Sequence, residues 1–189
     1  MSRAAHDKLL TARILRRAGV PHPRTWLIAE GFPSPAPELP VVLKPRFGSW
    51  RRDVVLCATA EELDRELARF ARLPWFADQG VLAQELVPPV GWDLRLVVAG
   101  GRVIGAARRA AAPGEWWTNV SLGGSSEAAA AIAGDLVGVD LLPRGDGYVV
   151  SEVNGAVDFR PWYALGPGNV FRNAVHELLR VAQIRRAAV

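Results

Sequence analysis

From Asp93 to Arg108 the chain reads DLRLVVAGGRVIGAAR, two apolar runs closed by the pair Gly100-Gly101. Two residues between strands can only reverse the chain, and a Gly-Gly pair reaches the positive φ that such a turn requires. These strands are therefore antiparallel neighbours. A second hairpin follows in VGVDLLPRGDGYVVSEVN. Parallel strands need crossovers of a dozen residues or more, and neither hairpin leaves room for one. Elsewhere the pattern predicts helices over residues 5–18, 60–73, 127–136 and 168–184, with strands at 25–29, 41–45, 54–57 and 81–87. Thr59 with Glu62 three residues on forms a capping box, and Asn169 stands where a cap is needed. EGFPSPAPELP, with four prolines in eleven residues, is a connector. Helices and antiparallel strands without βαβ units give an α+β fold, not a doubly wound sheet.

The 189 residues suit one domain or two small ones. No apolar run approaches membrane-spanning length, no leader pattern stands at Met1, and a single Cys57 excludes a disulfide framework. A soluble, cytoplasmic protein is expected, with no membrane partner. A net charge of +4 and a pI near 10 would suit nucleic acid. The arginines are spread along the chain, however, and no nucleic-acid module is present, so they read as solvated faces and a few anion contacts.

Two stretches carry chemistry. In VVLKPRFGSWRRDVV a lysine ends an apolar strand just before a Gly-containing loop, although this chain has only two lysines, Lys8 and Lys44. An ammonium on a flexible stem meets a single phosphate oxygen where a guanidinium fork is too wide. The second stretch is the second hairpin. With the five-residue loop PRGDG, Leu142 pairs with Tyr148, Asp140 lies opposite Val150, and Glu152 lies opposite Gly138. Asp140, Glu152 and Asn154 then share one face, an all-oxygen set suited to Mg²⁺. A two-residue Gly145-Asp146 turn would shift the register by one and break that set. No GxxxxGK[ST] loop, kinase signature, zinc spacing or nucleophile elbow is present. The RGD tripeptide is turn chemistry.

Taken in order, DKLLTARILRRAGVPHPRT, VVLKPRFGSW, AQELV, GWDLRLVV, RRAAAPGEWWTNVSLGG, GVDLL and SEVN resemble the ATP-grasp superfamily. Within it the chain resembles the RimK-like branch of carboxylate–amine ligases, which includes the ribosomal-protein glutamate ligase and amino-acid carrier-protein ligases. The resemblance implies two lobes, each an antiparallel sheet with helices, with the nucleotide between them. Residues 20–86 would form the lid, and 1–19 with 87–189 the core. It implies that Lys8 and Lys44 grip the ATP phosphates, aided by Gly48 and Ser49, and that the backbone of Glu85, Leu86 and Val87 reads adenine. Asp93 would hold the ribose. Asp140, Glu152 and Asn154 would hold Mg²⁺, two ions with Glu152 bridging them, Mn²⁺ being an alternative. Arg109 would join Lys44 as a catalytic residue by stabilising charge on the transferring group. It is chosen over Arg108 for its spacing of ten to Asn119, although the simple hairpin register places Arg108 opposite Asp93. Arg95, Asn119, Gly123 and Gly124 would touch substrate or phosphate.

The activity implied is ligation of a carboxylate to an amine through an acylphosphate, an amino acid being joined to a peptide or carrier-protein end. Three departures stand out. The family's additional N-terminal domain would precede the DK pair, but Met1 lies six residues before Asp7, so the expectation is that this domain is absent or that a separate chain supplies its role. Arg51 and Asp53 stand where the loop favours glycine, and Arg51 or Arg52 could meet phosphate directly. The helix between LGG and GVD is short. A non-catalytic MgATP-binding module, or one half of a two-chain ligase, is the alternative reading. Trp116, Trp117 and Trp162 would either wall the acceptor site or pack in the core.

Overall fold

The computed structural model describes residues 3–30, 36–48, 52–110, 131–165 and 168–187. A 3-10 turn (Arg3–His6) and helix α1 (Lys8–Arg17) open the chain, followed by strands β1 (Thr25–Ile28), β2 (Val41–Pro45) and β3 (Val55–Cys57). Helices α2 (Ala60–Phe70) and α3 (Phe76–Gln79) lead into β4 (Val81–Glu85). Strands β5 (Trp92–Ala99), β6 (Arg102–Ala110), β7 (Leu136–Arg144) and β8 (Gly147–Asn154) come next, and helix α4 (Val170–Ala187) is the last. Of the predicted helix over 127–136, residues 127–130 lie outside the described residues. Only Ala131 of the rest is helical, since the chain turns at 132–135, with Ala133 at φ 53°, and Leu136 already opens β7. The short α3 is an element that periodicity did not predict.

The strands form two antiparallel four-stranded sheets, ordered β1-β4-β2-β3 and β6-β5-β7-β8. In the first, alternation sorts the side chains. Val41, Leu43, Val81 and Ala83 pack with Phe70 and Phe76 under α2 and α3, so Lys44, Gln84 and Thr25 lie on the opposite face. Helix α2 begins at the expected capping box, in which the Thr59 hydroxyl accepts from the Glu62 N–H while the Glu62 carboxylate accepts from the Thr59 N–H. Thr59→Ala is expected to lower stability by about 1 kcal/mol, read as a small fall in the denaturant midpoint at constant m-value. No fall would mean that the cap is redundant.

In the second sheet, Leu94, Leu96, Val98, Val139 and Leu141 pack with Leu15 of α1 and with Val20 just beyond that helix. The opposite face is divided. Val97 and Ala99 are covered by α4 through Val170 and Ala174, and a Cβ on Gly105 would come within 2.7 Å of the Val170 side chain. The remainder of that face is polar, and two bulges decide which residues it holds.

The first bulge lies in β5–β6. The Gly100-Gly101 turn forms, with φ of 55° and 78°, but the register shifts between Val97 and Val98, so that Asp93 lies opposite Arg109 and Leu94 opposite Arg108. The second bulge overturns the hairpin geometry read from sequence. The turn is the tight Gly145-Asp146 one, with Arg144 paired to Gly147, not the five-residue loop. Leu142 pairs with Val149 rather than Tyr148. The bulge at Ser151 then adds a second step, since Leu141 pairs with Val150 and Asp140 with Glu152. Asp140, Glu152 and Asn154 share a face after all, because two one-residue shifts add to two, which restores the parity although Asp140 now lies opposite Glu152 rather than Val150.

Candidate functional site

Across the polar half of the second sheet, Arg95, Asp140 and Glu152 lie side by side on β5, β7 and β8. Arg95 and Asp140 form a two-pronged pair, with Nη2 to Oδ2 at 2.8 Å. Arg109 Nη2 adds a bond to Asp140 Oδ1 at 2.8 Å, and Asn154 Nδ2 one to Oδ2 at 3.1 Å. A carboxylate has about four lone-pair positions, and these four bonds use them all. Burial opposes the Arg95 charge, but the bonds and the charge of Asp140 outweigh it and hold the guanidinium firmly protonated. Arg109 also contacts Asp93 through Nε and Nη2, whereas Arg108 stacks over the Trp92 ring at 4.8 Å.

The first sheet and α1 deliver the lysines. Asp7 caps α1 by accepting from the Leu9 and Leu10 N–H groups and also binds Arg46 of the loop after β2. Lys8 continues this attachment, its N–H donating to Arg46 O and its Nζ to Gly48 O at 2.6 Å. The same Nζ stands 3.4 Å from Glu152 Oε1. Gly48, at φ 101°, takes the left-handed conformation that glycine adopts without strain. Asp53 also has a positive φ, 58°, and its carboxylate bonds Arg69 of α2. Its side chain is thus committed to the helix.

Lys44 is buried and donates to Gln84 Oε1 at 2.8 Å. Burial lowers its pKa to about 8, against the opposing pull of Glu152 and Asp140 and with a further push from Lys8. Lys44 therefore senses both carboxylates across the gap between the sheets. Lys8, Lys44, Arg95 and Arg109 face Asp93, Asp140 and Glu152, which leaves a positive surplus suited to an anion. Two carboxylates and an amide oxygen on one face also fit a hard divalent cation. Glu152 and Asn154 are the better placed donors, because Asp140 would first have to release a guanidinium or amide bond.

At the expected hinge, Glu85 N–H donates to Arg24 O and Leu86 N–H to Pro40 O. The Glu85 carboxylate binds Arg144 at 2.6 Å and so ties the end of β4 to the end of β7. Val87 is buried. Ser49, Arg51, Trp116, Trp117, Asn119, Gly123 and Gly124 lie outside the described residues. Trp162 is 75% exposed, which excludes the core-packing alternative for it. Sequence reasoning gave no role to His22, Thr25, Gln84 or Arg46. The available signal was that Gln84 shares the strand parity of an inward-facing lysine, in a sheet otherwise filled with apolar residues.

Comparison with known proteins agrees with this geometry. Residues 5–163 match the RimK-like ATP-grasp domain. A probable alpha-L-glutamate ligase 2 of Pseudoalteromonas atlantica is 31% identical over 174 residues, covering 80% of this chain and 56% of that protein. The glutamate–LysW ligase ArgX of Sulfurisphaera tokodaii is 29% identical over 188 residues, covering 89% and 67%. A D-alanine–D-alanine ligase from Bacillus anthracis, solved with ATP, superposes with a TM-score of 0.68 at 18% identity, covering 96% of this chain and 68% of that one. The chain thus spans little more than half the length of the glutamate ligase it matches. Two antiparallel sheets, a lysine from each side of the gap between them, and an acidic ribbon facing those lysines coincide with a match over most of the sequence: the chain belongs to the RimK-like ATP-grasp family.

Proposed function

We propose that this chain binds MgATP between its two sheets and uses it to join a carboxylate to an amine through an acylphosphate. Residues 20–86 act as the lid, and 1–19 with 87–189 as the core. The observation that carries this reading is the convergence of Lys8 and Lys44, from separate elements, on the face bearing Asp140 and Glu152. Both ammonium groups hold the phosphates, and Gly48 allows close backbone approach beside them. Glu152 and Asn154, with Asp140, would hold the Mg²⁺ ions, which supply further charge neutralisation on the phosphates. Arg109 keeps Nε and Nη2 on the carboxylates and offers its Nη1 edge to the transferring group. No nucleophile from the protein is required, and the chain contributes positioning and a preset field of charge.

The substrates proposed are an amino acid and an acceptor at a peptide or carrier-protein end. The name of the LysW ligase supports the carrier reading. Purified chain is expected to gain thermal stability with MgATP, to lose that gain with EDTA, and to lose most of it in Glu152→Gln. A screen of amino acids against peptide and carrier acceptors should then release ADP in wild type. Binding without ADP release under every pairing would favour a MgATP-binding module or one half of a two-chain ligase. A folded wild-type chain indifferent to MgATP would remove the proposal.

A further inference from the structure

We propose that His22 and Gln84 are positioning residues, which hold Lys44 Nζ where it meets the nucleotide phosphates through a hydrogen-bond chain that can run in only one direction. The proposal rests on the reading of Lys44 as a phosphate ligand. Lys44 Nζ donates to Gln84 Oε1 at 2.8 Å. An amide so placed turns its NH₂ the other way, and there Nε2 meets Thr25 Oγ1 at 3.0 Å and His22 Nε2 at 3.3 Å. Both partners must accept. The Thr25 hydroxyl donates its one hydrogen to Pro23 O at 3.0 Å. The His22 ring has Nδ1 against Val150 O at 2.5 Å, and a carbonyl oxygen only accepts, so the ring proton sits on Nδ1. In the neutral ring Nε2 is then a bare acceptor, 3.3 Å from both Gln84 Nε2 and Thr25 Oγ1.

The direction from Lys44 to Val150 follows from its two ends, an ammonium that only donates and a backbone carbonyl that only accepts. Reversing the amide would place its NH₂ against the Lys44 ammonium and its oxygen against two acceptors. Neutrality of His22 is favoured by the burial of the ring and by the positive charge of Lys44, which together hold its pKa at about 4.

The chain also explains how a lysine on one sheet keeps its place relative to carboxylates on the other. Val150 belongs to β8, the strand that carries Glu152 and Asn154, and its N–H donates to Pro21 O at 2.8 Å. Residues 21 and 22 therefore grip Val150 at both its N–H and its C=O. Through His22 and Gln84, the position of the ammonium is set from the strand that presents the acidic ribbon. A buried polar network of this kind, fully satisfied, fixes one geometry.

The test uses the full chain. Nitrogen-15 NMR of the histidine rings at pH 7 should show His22 neutral with its proton on Nδ1, whereas an Nε2–H tautomer or a cation overturns the proposal. His22→Ala and Gln84→Leu are expected to weaken MgATP binding about tenfold, the effect of one well-made hydrogen bond, and to leave adenosine binding unchanged. Gln84→Glu keeps an acceptor for Lys44 but sets a second oxygen against the Thr25 and His22 acceptors, so it should stay weakened like Gln84→Leu, and full recovery of MgATP affinity would overturn the relay. Equal weakening of MgATP and adenosine would reveal a merely structural role and overturn the relay, as would unchanged MgATP affinity in both variants. A wild-type chain that binds no MgATP overturns the nucleotide reading itself, and that failure is distinguishable because it appears before any variant is made.

Discussion

Lys44→Met is expected to abolish stabilisation by MgATP while leaving the free protein at least as stable as wild type. The two halves of this result share one cause. The ammonium is buried, and its pKa falls from 10.5 to about 8, so the folded state holds the charged form at a cost of about 3 kcal/mol. Methionine keeps the length and apolarity of the stem and removes that cost. It also leaves Gln84 Oε1 without its donor, which costs roughly 1–3 kcal/mol and offsets much of the gain. The sign with pH follows. Between about pH 8 and 10.5 the unfolded chain binds more protons at this residue than the folded one, so Lys44 makes wild-type stability rise with pH in that window. The variant should lack this rise. With ligand at a hundred times Kd, wild type gains about 2.7 kcal/mol, a gain the variant loses. Denaturant melts at pH 7 and pH 9.5, each with and without MgATP, check both halves. A variant that melts well below wild type without ligand would mean that the ammonium stabilises the fold, and would contradict the account of its burial.

Asp140→Ala is expected to be among the most damaging single changes in the described residues, at about 3–5 kcal/mol. Asp140 and Arg95 both lie well inside the protein, with side chains 11% and 14% exposed. Removing the carboxylate leaves Arg95 without its two-pronged partner and takes one of the carboxylates that hold Arg109. For a chain of this size that is a fall of roughly 10 °C in melting temperature. The damage comes from stranding a charge, so it should be repaired by removing that charge as well. Asp140→Leu combined with Arg95→Met is expected to return to within about 2 kcal/mol of wild type. Arg109 keeps Asp93 in that background. A single variant that loses less than about 1 kcal/mol would place the pair in effectively solvated surroundings. A double variant no better than the single would show that the lost term is packing.

Much of the fold was legible because its signals are local. The Gly100-Gly101 turn, the Thr59–Glu62 capping box and the Asn169 cap, whose Oδ1 accepts from the Phe171 N–H, each depend on residues within four positions of one another. The Val41–Pro45 and Val81–Glu85 strands and the stripe Leu63, Leu67, Phe70 follow from periods of two and 3.6. The identity of Lys44 as an unusual residue was equally plain, since an Arg-rich chain keeps only two lysines.

The sequence by itself determined which residues could do chemistry, and tertiary structure decided which of them meet. Strand parity named Asp140, Glu152 and Asn154, but a tight turn would have separated them had the bulge at Ser151 not restored the parity. The choice of Arg109 over Arg108 likewise hung on a one-residue bulge near Ile104. A bulge adds a residue without changing composition or hydrophobic pattern on either side, so periodicity cannot detect it. Nor could it detect the saturation of Asp140 by Arg95, Arg109 and Asn154, or the link from Val150 through His22 and Gln84 to Lys44. Those bonds join residues between 14 and 128 positions apart. A hydrogen bond works over about 3 Å in space, and distance along the chain carries no record of it until the strands pair.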